Sequence, residues 1–184
     1  MRPIALLSMV LGVIELSAQD NEGEWELFSN EIKISKVVSK NLDFKVDKFR
    51  FNFIWSNELS YSNNIGVYGG IQALDIYIDD EKTQTIQNIE DRIGLGEIPF
   101  VFYDFNLDGN IDFSIPINDN WSQYYIYNPS TKKFVHKEDW DFLKIQMIDK
   151  KNKRLLHLSK TNFPDNQSRI IYLIEGDRLV RQNK

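Results

Sequence analysis

Leu42-Asp43-Phe44-Lys45-Val46-Asp47-Lys48-Phe49-Arg50-Phe51-Asn52-Phe53-Ile54-Trp55, residues 42–55, alternates apolar and polar side chains with a period of two. That is the period of a pleated strand with one buried face, not of a helix. Leu42, Phe44 and Val46 hold one phase, and Phe49, Phe51, Phe53 and Trp55 hold the other. A slip of one residue moves every side chain to the opposite face. The change of phase across Asp47-Lys48 therefore marks a turn or a bulge.

The same period continues along the chain. Ile32 and Ile34 alternate with polar neighbours, and segments 71–78, 84–89, 98–105, 111–117, 121–127, 153–159 and 169–175 are rich in Ile, Val, Phe and Tyr. Such residues suit a half-buried pleated surface. Asn128-Pro129-Ser130-Thr131 reads as a turn, and Glu175-Gly176-Asp177 as a hairpin turn into a last strand over 178–181. Only 137–147 has helical spacing, with Trp140, Leu143 and Met147 at steps of three and four. The expected fold is all-β: an antiparallel β-sandwich or a partial propeller with one short helix. Two hairpins look alike, Ile76-Tyr77-Ile78 before Asp79-Asp80 and Tyr125-Ile126-Tyr127 before Asn128-Pro129. Their spacing of about 49 residues falls in the range of propeller repeats.

Composition narrows the chemistry. The chain has 184 residues, with 42% hydrophobic and 27% charged side chains, as expected of one domain with a buried core. It has no cysteine, which excludes disulfides, thiolate metal sites and a cysteine nucleophile, and two histidines cannot make a His-rich metal site. A net charge of −5 disfavours nucleic acid as a partner, since nothing offsets phosphate repulsion. The charge is uneven: residues 19–131 carry 8 basic and 19 acidic side chains, and residues 132–184 carry 13 and 7. An acidic portion of this kind can steer a cationic partner.

Met1-Arg2, the apolar run 4–16 and Ser17-Ala18-Gln19 follow the order of a secretory signal peptide. Residues 1–18 are read as that leader and residues 19–184 as a single all-β domain, periplasmic or secreted. The run is too short to span a bilayer, which takes ~20 apolar residues, and no transmembrane segment is expected elsewhere.

The motif with a mechanism is Asp104-Phe105-Asn106-Leu107-Asp108-Gly109-Asn110-Ile111-Asp112. Ca²⁺ takes about 6–8 oxygen ligands, and oxygens at alternate positions of a tight loop can surround one ion. Asp104, Asn106 and Asp108 supply side-chain oxygens, Asn110 its carbonyl, and Asp112 closes the site, with Gly109 permitting the turn. A helix–loop–helix calcium hand needs Glu at the twelfth position, which here is Ile115. Alternation on both flanks makes this a strand–loop–strand calcium site, similar to the loops of FG-GAP and integrin-α propeller blades.

Catalytic signals are sparse. No Gly-x-Ser-x-Gly, His-Glu-x-x-His or phosphate-cradling glycine loop occurs. His136 and His157 lack ligand spacing. Asp79, Asp80 and Glu81 could form a carboxylate pair for glycoside chemistry, but they fall where a solvated turn is expected. The chain therefore reads as a binding protein rather than an enzyme. Two loops could bind: 60–70, which mixes Tyr, Ser, Asn and Gly in the manner of recognition loops, and 118–124 directly after the calcium-linked strands. In the second, Trp121, Ser122 and Tyr124 are the expected partner-binding residues.

The stretch 103–180 resembles an exported bacterial family whose members carry Asp-x-Asn-x-Asp-Gly-x-x-Asp, then Tyr-x-Tyr-Asn-Pro-x-Thr-Lys-x-Phe, then Asp-x-x-Asn-Lys-Arg. Here these are Asp104 to Asp112, Tyr125 to Phe134 and Asp149 to Arg154. The family includes periplasmic immunity proteins that block lysozyme-like effectors and are similar in fold to inhibitors of invertebrate-type lysozymes. The chain departs from it at 118–123, where members carry glycine, and lacks a Ser-Gly dipeptide. The resemblance implies a calcium-bound protein that inhibits a peptidoglycan hydrolase, its partner a cationic lysozyme-like enzyme. The alternatives are a surface or adhesion module gripping glycan or protein, and a small glycoside hydrolase. If the leader is cleaved after Ala18, N-terminal sequencing of the exported protein should begin at Gln19; an intact Met1 in the cytosolic fraction would contradict this.

Overall fold

The computed structural model describes residues 23–38, 43–55, 60–63, 66–68, 71–87, 89, 97–118, 121–159 and 168–182. The expected leader, parts of both recognition loops and the Trp121 side chain lie outside the described residues.

Three antiparallel meanders follow one another along the chain. The first is β3 (Asp43–Val46), β4 (Phe49–Trp55), β7 (Ile71–Ile78) and β8 (Glu81–Gln87), with the small hairpin β5 (Ser60–Ser62) and β6 (Gly66–Tyr68) between β4 and β7. The second is β9 (Glu97–Tyr103), β10 (Asp112–Asn118), β11 (Trp121–Asn128) and β12 (Lys133–His136). The third is β13 (Ile145–Asp149), β14 (Arg154–Ser159), β15 (Ser168–Glu175) and β16 (Arg178–Arg181). Earlier strands complete two of them: β1 (Glu26–Leu27) pairs with β13, and β2 (Lys33–Val38) pairs with β9. The chain is therefore all-β and antiparallel, with none of the sheets closed into a barrel. Among the described residues no helix is long and apolar enough to cross a membrane.

Side-chain alternation decides how the meanders stack. Phe49, Phe51 and Phe53 of β4 with Leu74 and Ile76 of β7 meet Phe100, Phe102, Phe113, Ile115, Tyr125 and Phe134 of the second meander. Ring centroids of Phe51 lie 5.6 Å from both Phe102 and Phe113, within aromatic packing range. The opposite face of the second meander supplies Tyr103, Tyr124 and Ile126 to a second core with Ile145, Ile148, Leu155 and Ile174 of the third meander. The second meander is thus the middle layer. Its strands are apolar on both faces, as in Tyr124-Tyr125-Ile126-Tyr127, where all four are buried.

The turns follow their residues. The phase change at Asp47-Lys48 is a two-residue hairpin loop, with Val46 opposite Phe49 and Asp47 at φ 52°. Asp79 and Asp80 both take positive φ, 50° and 62°, as a type I′ hairpin requires. Asn128 Oδ1 accepts from the Ser130 and Thr131 amides at 3.0 and 3.3 Å, an Asx turn that closes β11 onto β12. The two similar hairpins, β7–β8 and β11–β12, are the third and fourth strands of consecutive meanders. Across that step, Gln84 on β8 donates from Nε2 to the Phe134 carbonyl and accepts from the Phe134 amide, both at 2.8 Å.

The helix expected over 137–147 is not formed. Glu138–Trp140 makes one 3-10 turn, and β13 begins at Ile145. Trp140 and Leu143 still reach the core, but the β-branched Ile145 and Ile148 pair with His157 and Leu155 of β14, and Ile148 also with Glu26 of β1. That ladder outweighs a three-and-four spacing too short to hold a helix alone.

Phe113 sits at the centre of the first core at 0% exposure. Phe113→Ala should lower unfolding stability by about 3–5 kcal/mol, read from denaturant melts.

Candidate metal centre

Loop 104–112 joins β9 to β10. Leu107 at φ 55° and Gly109 at φ 88° turn the chain tightly enough to fold its side chains onto its own backbone. Asp104 accepts the Asp108 amide on Oδ1 at 2.9 Å and the Gly109 amide on Oδ2 at 2.7 Å. Asn106 donates from Nδ2 to Asp108 Oδ2 at 3.0 Å, and its Oδ1 accepts the Asp108 amide at 3.3 Å. Asp108 Oδ1 accepts the Asn110 amide at 2.8 Å and the Asn110 side-chain Nδ2 at 3.0 Å. The structure thus brings Asp104, Asn106, Asp108 and Asn110 together.

Asp112 sits deeper. It is 0% exposed, and its two oxygens accept the Phe105 and Tyr127 amides, each at 2.8 Å. It ties the start of the loop to β11. Burial, helped by the charges of Asp104 and Asp108, pushes its carboxyl up to about 8 against those two donors. Burial also raises Asp104, opposed by the Gly109 and Asp108 amides.

Among the described residues no three His, Cys, Asp or Glu side chains gather closely enough to hold an ion by themselves. A calcium site here must therefore also draw on the Asn106 oxygen and the Asn110 carbonyl. The donors suit that ion: every candidate ligand is oxygen, and a carboxylate oxygen that accepts one N–H keeps a lone pair for a metal.

The third meander carries the corresponding loop between its first two strands, 149–154, and solves its charge differently. The enclosed Asp149 carboxylate accepts the Asn152 amide at 3.0 Å, Asn152 Nδ2 at 2.8 Å and Arg154 Nη2 at 2.5 Å. Here a guanidinium from the chain balances the acid. Residues 104–112 contain three aspartates and no basic residue.

The expected partner-binding residues separate. Ser122 is half-buried, and its amide donates to the Asp141 carbonyl at 3.0 Å. Trp121 begins β11 opposite Asn118, across an irregularity in the ladder. Tyr124 instead lies in the second core at 5% exposure, between Phe105 and Trp140, with its hydroxyl on the Leu143 carbonyl at 3.1 Å. Its ring does not face solvent. Asp79 and Asp80 occupy the β7–β8 turn, where the Asp80 side chain is 81% exposed. The histidines stay apart: His136 Nε2 meets the Asp141 carboxylate at 3.0 Å, whereas His157 accepts the Lys144 amide at 2.8 Å and is lowered by burial.

One feature escapes sequence reading. A surface cleft of about 230 Å³ adjoins the loop, walled by Asn106, Asp108, Pro129 and Val135 and by Lys137, which pairs with Asp177. Its walls come from three separate segments, so no local pattern announces it. No protein-family model, curated protein or solved structure matches the chain.

Burial alone would raise the Asp149 carboxyl, but hydrogen bonds from Asn152 and Arg154 outweigh it and hold the group below its usual value. Its stabilising contribution is therefore full above the unfolded-state value, ~3.9, and is lost as pH falls through the lower folded one. Arg154→Ala should destabilise the fold by roughly 3 kcal/mol near neutral pH and flatten the stability profile below about pH 4, read from urea melts across pH.

Proposed function

We propose that this chain is an exported calcium-binding β-protein that binds and inhibits a peptidoglycan hydrolase, as an immunity protein or lysozyme inhibitor. One observation carries the calcium assignment. Corresponding loops of consecutive meanders both carry acid, but only 149–154 brings its own cation, while 104–112 carries Asp104, Asp108 and Asp112 in its sequence with no basic residue. A divalent ion would convert that repulsion into a clamp between β9 and β10. The inhibitory role is supported by the resemblance over 103–180 and by the acidic bias of residues 19–131, which favours a cationic enzyme. Trp121 and Ser122 are its proposed contacts, while Tyr124 packs in the core.

A second reading, an adhesion-type module for glycan or protein, draws on the three meanders stacked in chain order, an arrangement that favours a partial propeller over a simple sandwich. The exposed setting of Asp80 gives the glycoside hydrolase reading little support.

Calcium should raise the melting temperature relative to chelator, with magnesium doing so weakly because it demands near-octahedral geometry. A hundredfold excess over Kd corresponds to about 2.7 kcal/mol. Asp104→Ala and Asp108→Ala should abolish the shift, and identical melts with chelator and millimolar calcium would remove the metal from the proposal. Inhibition is tested separately by turbidity clearing of peptidoglycan with a cationic muramidase. The protein should slow clearing, and Trp121→Ala should lose that effect at unchanged melting temperature. Sugar release by the protein alone would favour the hydrolase reading instead.

A further inference from the structure

The chain has two histidines, and both act on the same four residues. Asp141-Phe142-Leu143-Lys144 joins the 3-10 turn to β13. At its first residue, both oxygens of the Asp141 carboxylate meet His136 Nε2, at 3.0 and 3.1 Å. At its last, the Lys144 amide donates to His157 Nδ1 at 2.8 Å. Between these ends, the Asp141 carbonyl accepts the Ser122 amide at 3.0 Å and the Leu143 carbonyl accepts the Tyr124 hydroxyl at 3.1 Å. Leu143 is buried, whereas Phe142 is 67% exposed. The segment thus presents an aromatic side chain to water from a backbone tied at each end by a histidine.

The two ties answer a proton in opposite ways. A neutral His157 that accepts an amide at Nδ1 carries its own proton on Nε2. A second proton, added at Nδ1, occupies the lone pair that the Lys144 amide uses, and that bond is lost. At His136 an added proton makes Nε2 a charged donor facing a carboxylate, and the tie becomes an ion pair. We propose that residues 141–144 form a proton-sensitive clip, which on acidification lets go at Lys144 and tightens at Asp141. The entry to β13 then loosens while the corner beside Ser122 stays anchored. Leu143, buried and held by Tyr124, confines the change to the Lys144 end.

The groups around each ring fit this division. His157 stands across from Ile145 of β13 and Ile170 of β15, with the Tyr172 ring 6.3 Å away and Lys144 as the charged group beside it. Burial and the Lys144 charge lower His157, outweighing the opposing effect of the Lys144 backbone. Its tie is therefore full above the unfolded-state value, ~6.5, and is lost as pH falls through the lower folded one. His136 stacks on the Tyr125 ring at 5.2 Å and faces Asp141, with Glu138 as the further acid near that carboxylate. The neighbouring Lys137 pairs with Asp177.

Nuclear magnetic resonance of the full chain between about pH 7.5 and about pH 5 tests this without metal or partner. At the upper end, the His157 ring should be neutral with its proton on Nε2, and the Lys144 amide proton should lie downfield. As His157 titrates, that amide should move upfield with the same midpoint, and its exchange, corrected for pH, should speed several-fold. The Ser122 amide, on the Asp141 side, should keep its protection. His157→Asn sets an oxygen that does not titrate in the place of Nδ1, and should keep the Lys144 amide protected across the range. His136→Gln should leave the Lys144 transition where it is. If His157→Asn does not fold, the tautomer and the shared midpoint of the unsubstituted chain decide the matter. A Lys144 amide indifferent to the His157 titration, a neutral ring protonated at Nδ1, or loosening that persists in His157→Asn would overturn the proposal. So would loss of Ser122 protection, or unfolding of the whole domain, over the same range.

Discussion

Burying both faces of one sheet leaves its polar side chains without water, and the middle meander carries Asp112, Ser114 and Gln123 at 0%, 4% and 8% exposure. Each such group must find a partner inside or the fold is penalised. Asp112 finds two, the amides of Phe105 and Tyr127, and Gln123 Oε1 accepts the Tyr125 hydroxyl at 3.2 Å. The Asp112 pair joins the entry of loop 104–112 to β11, the strand that supplies both cores. That carboxylate therefore fixes the entry of the loop against β11.

Much of the architecture is legible in the chain because alternation over 42–55, 71–78 and 121–127 is a direct physical consequence of the pleat. Turns at Asp47, Asp79 and Asn128 are legible because short Asx side chains satisfy local amides or tolerate positive φ. What escapes is anything set by long-range pairing. Trp140, Leu143 and Met147 mimic a helical stripe, but Trp140 ends a 3-10 turn and only from Ile145 does the chain run as a strand between β1 and β14. The layer order is also hidden, since strands apolar on both faces do not say which sheet lies on which side. In the loop, the clustering of Asp104, Asn106 and Asp108 follows from their spacing. Tyr124 is different: aromatic residues after a turn look like recognition residues until the next layer is seen to cover them.

The two acidic loops occupy corresponding places in consecutive meanders, but only one of them carries its own cation. Arg154 stays attached to the chain, so the corner at Asp149 does not depend on a dissolved cation. A corner closed by a proposed divalent ion instead responds to its surroundings, firm where calcium is plentiful and looser where it is scarce. Neighbouring layers of one domain can thus differ in what their rigidity depends on.

The amide of Gln84, hydrogen-bonded to both backbone groups of Phe134, occupies the place a further strand would take beside β12. Open sheet margins are templates for stray chains and for fibril growth. Here the preceding meander supplies a single side chain that imitates a peptide group and closes the margin at that residue. The protection arises between layers rather than within one, so it exists only once the first two meanders have docked. Until the first meander docks, the Phe134 amide and carbonyl stay open to another chain.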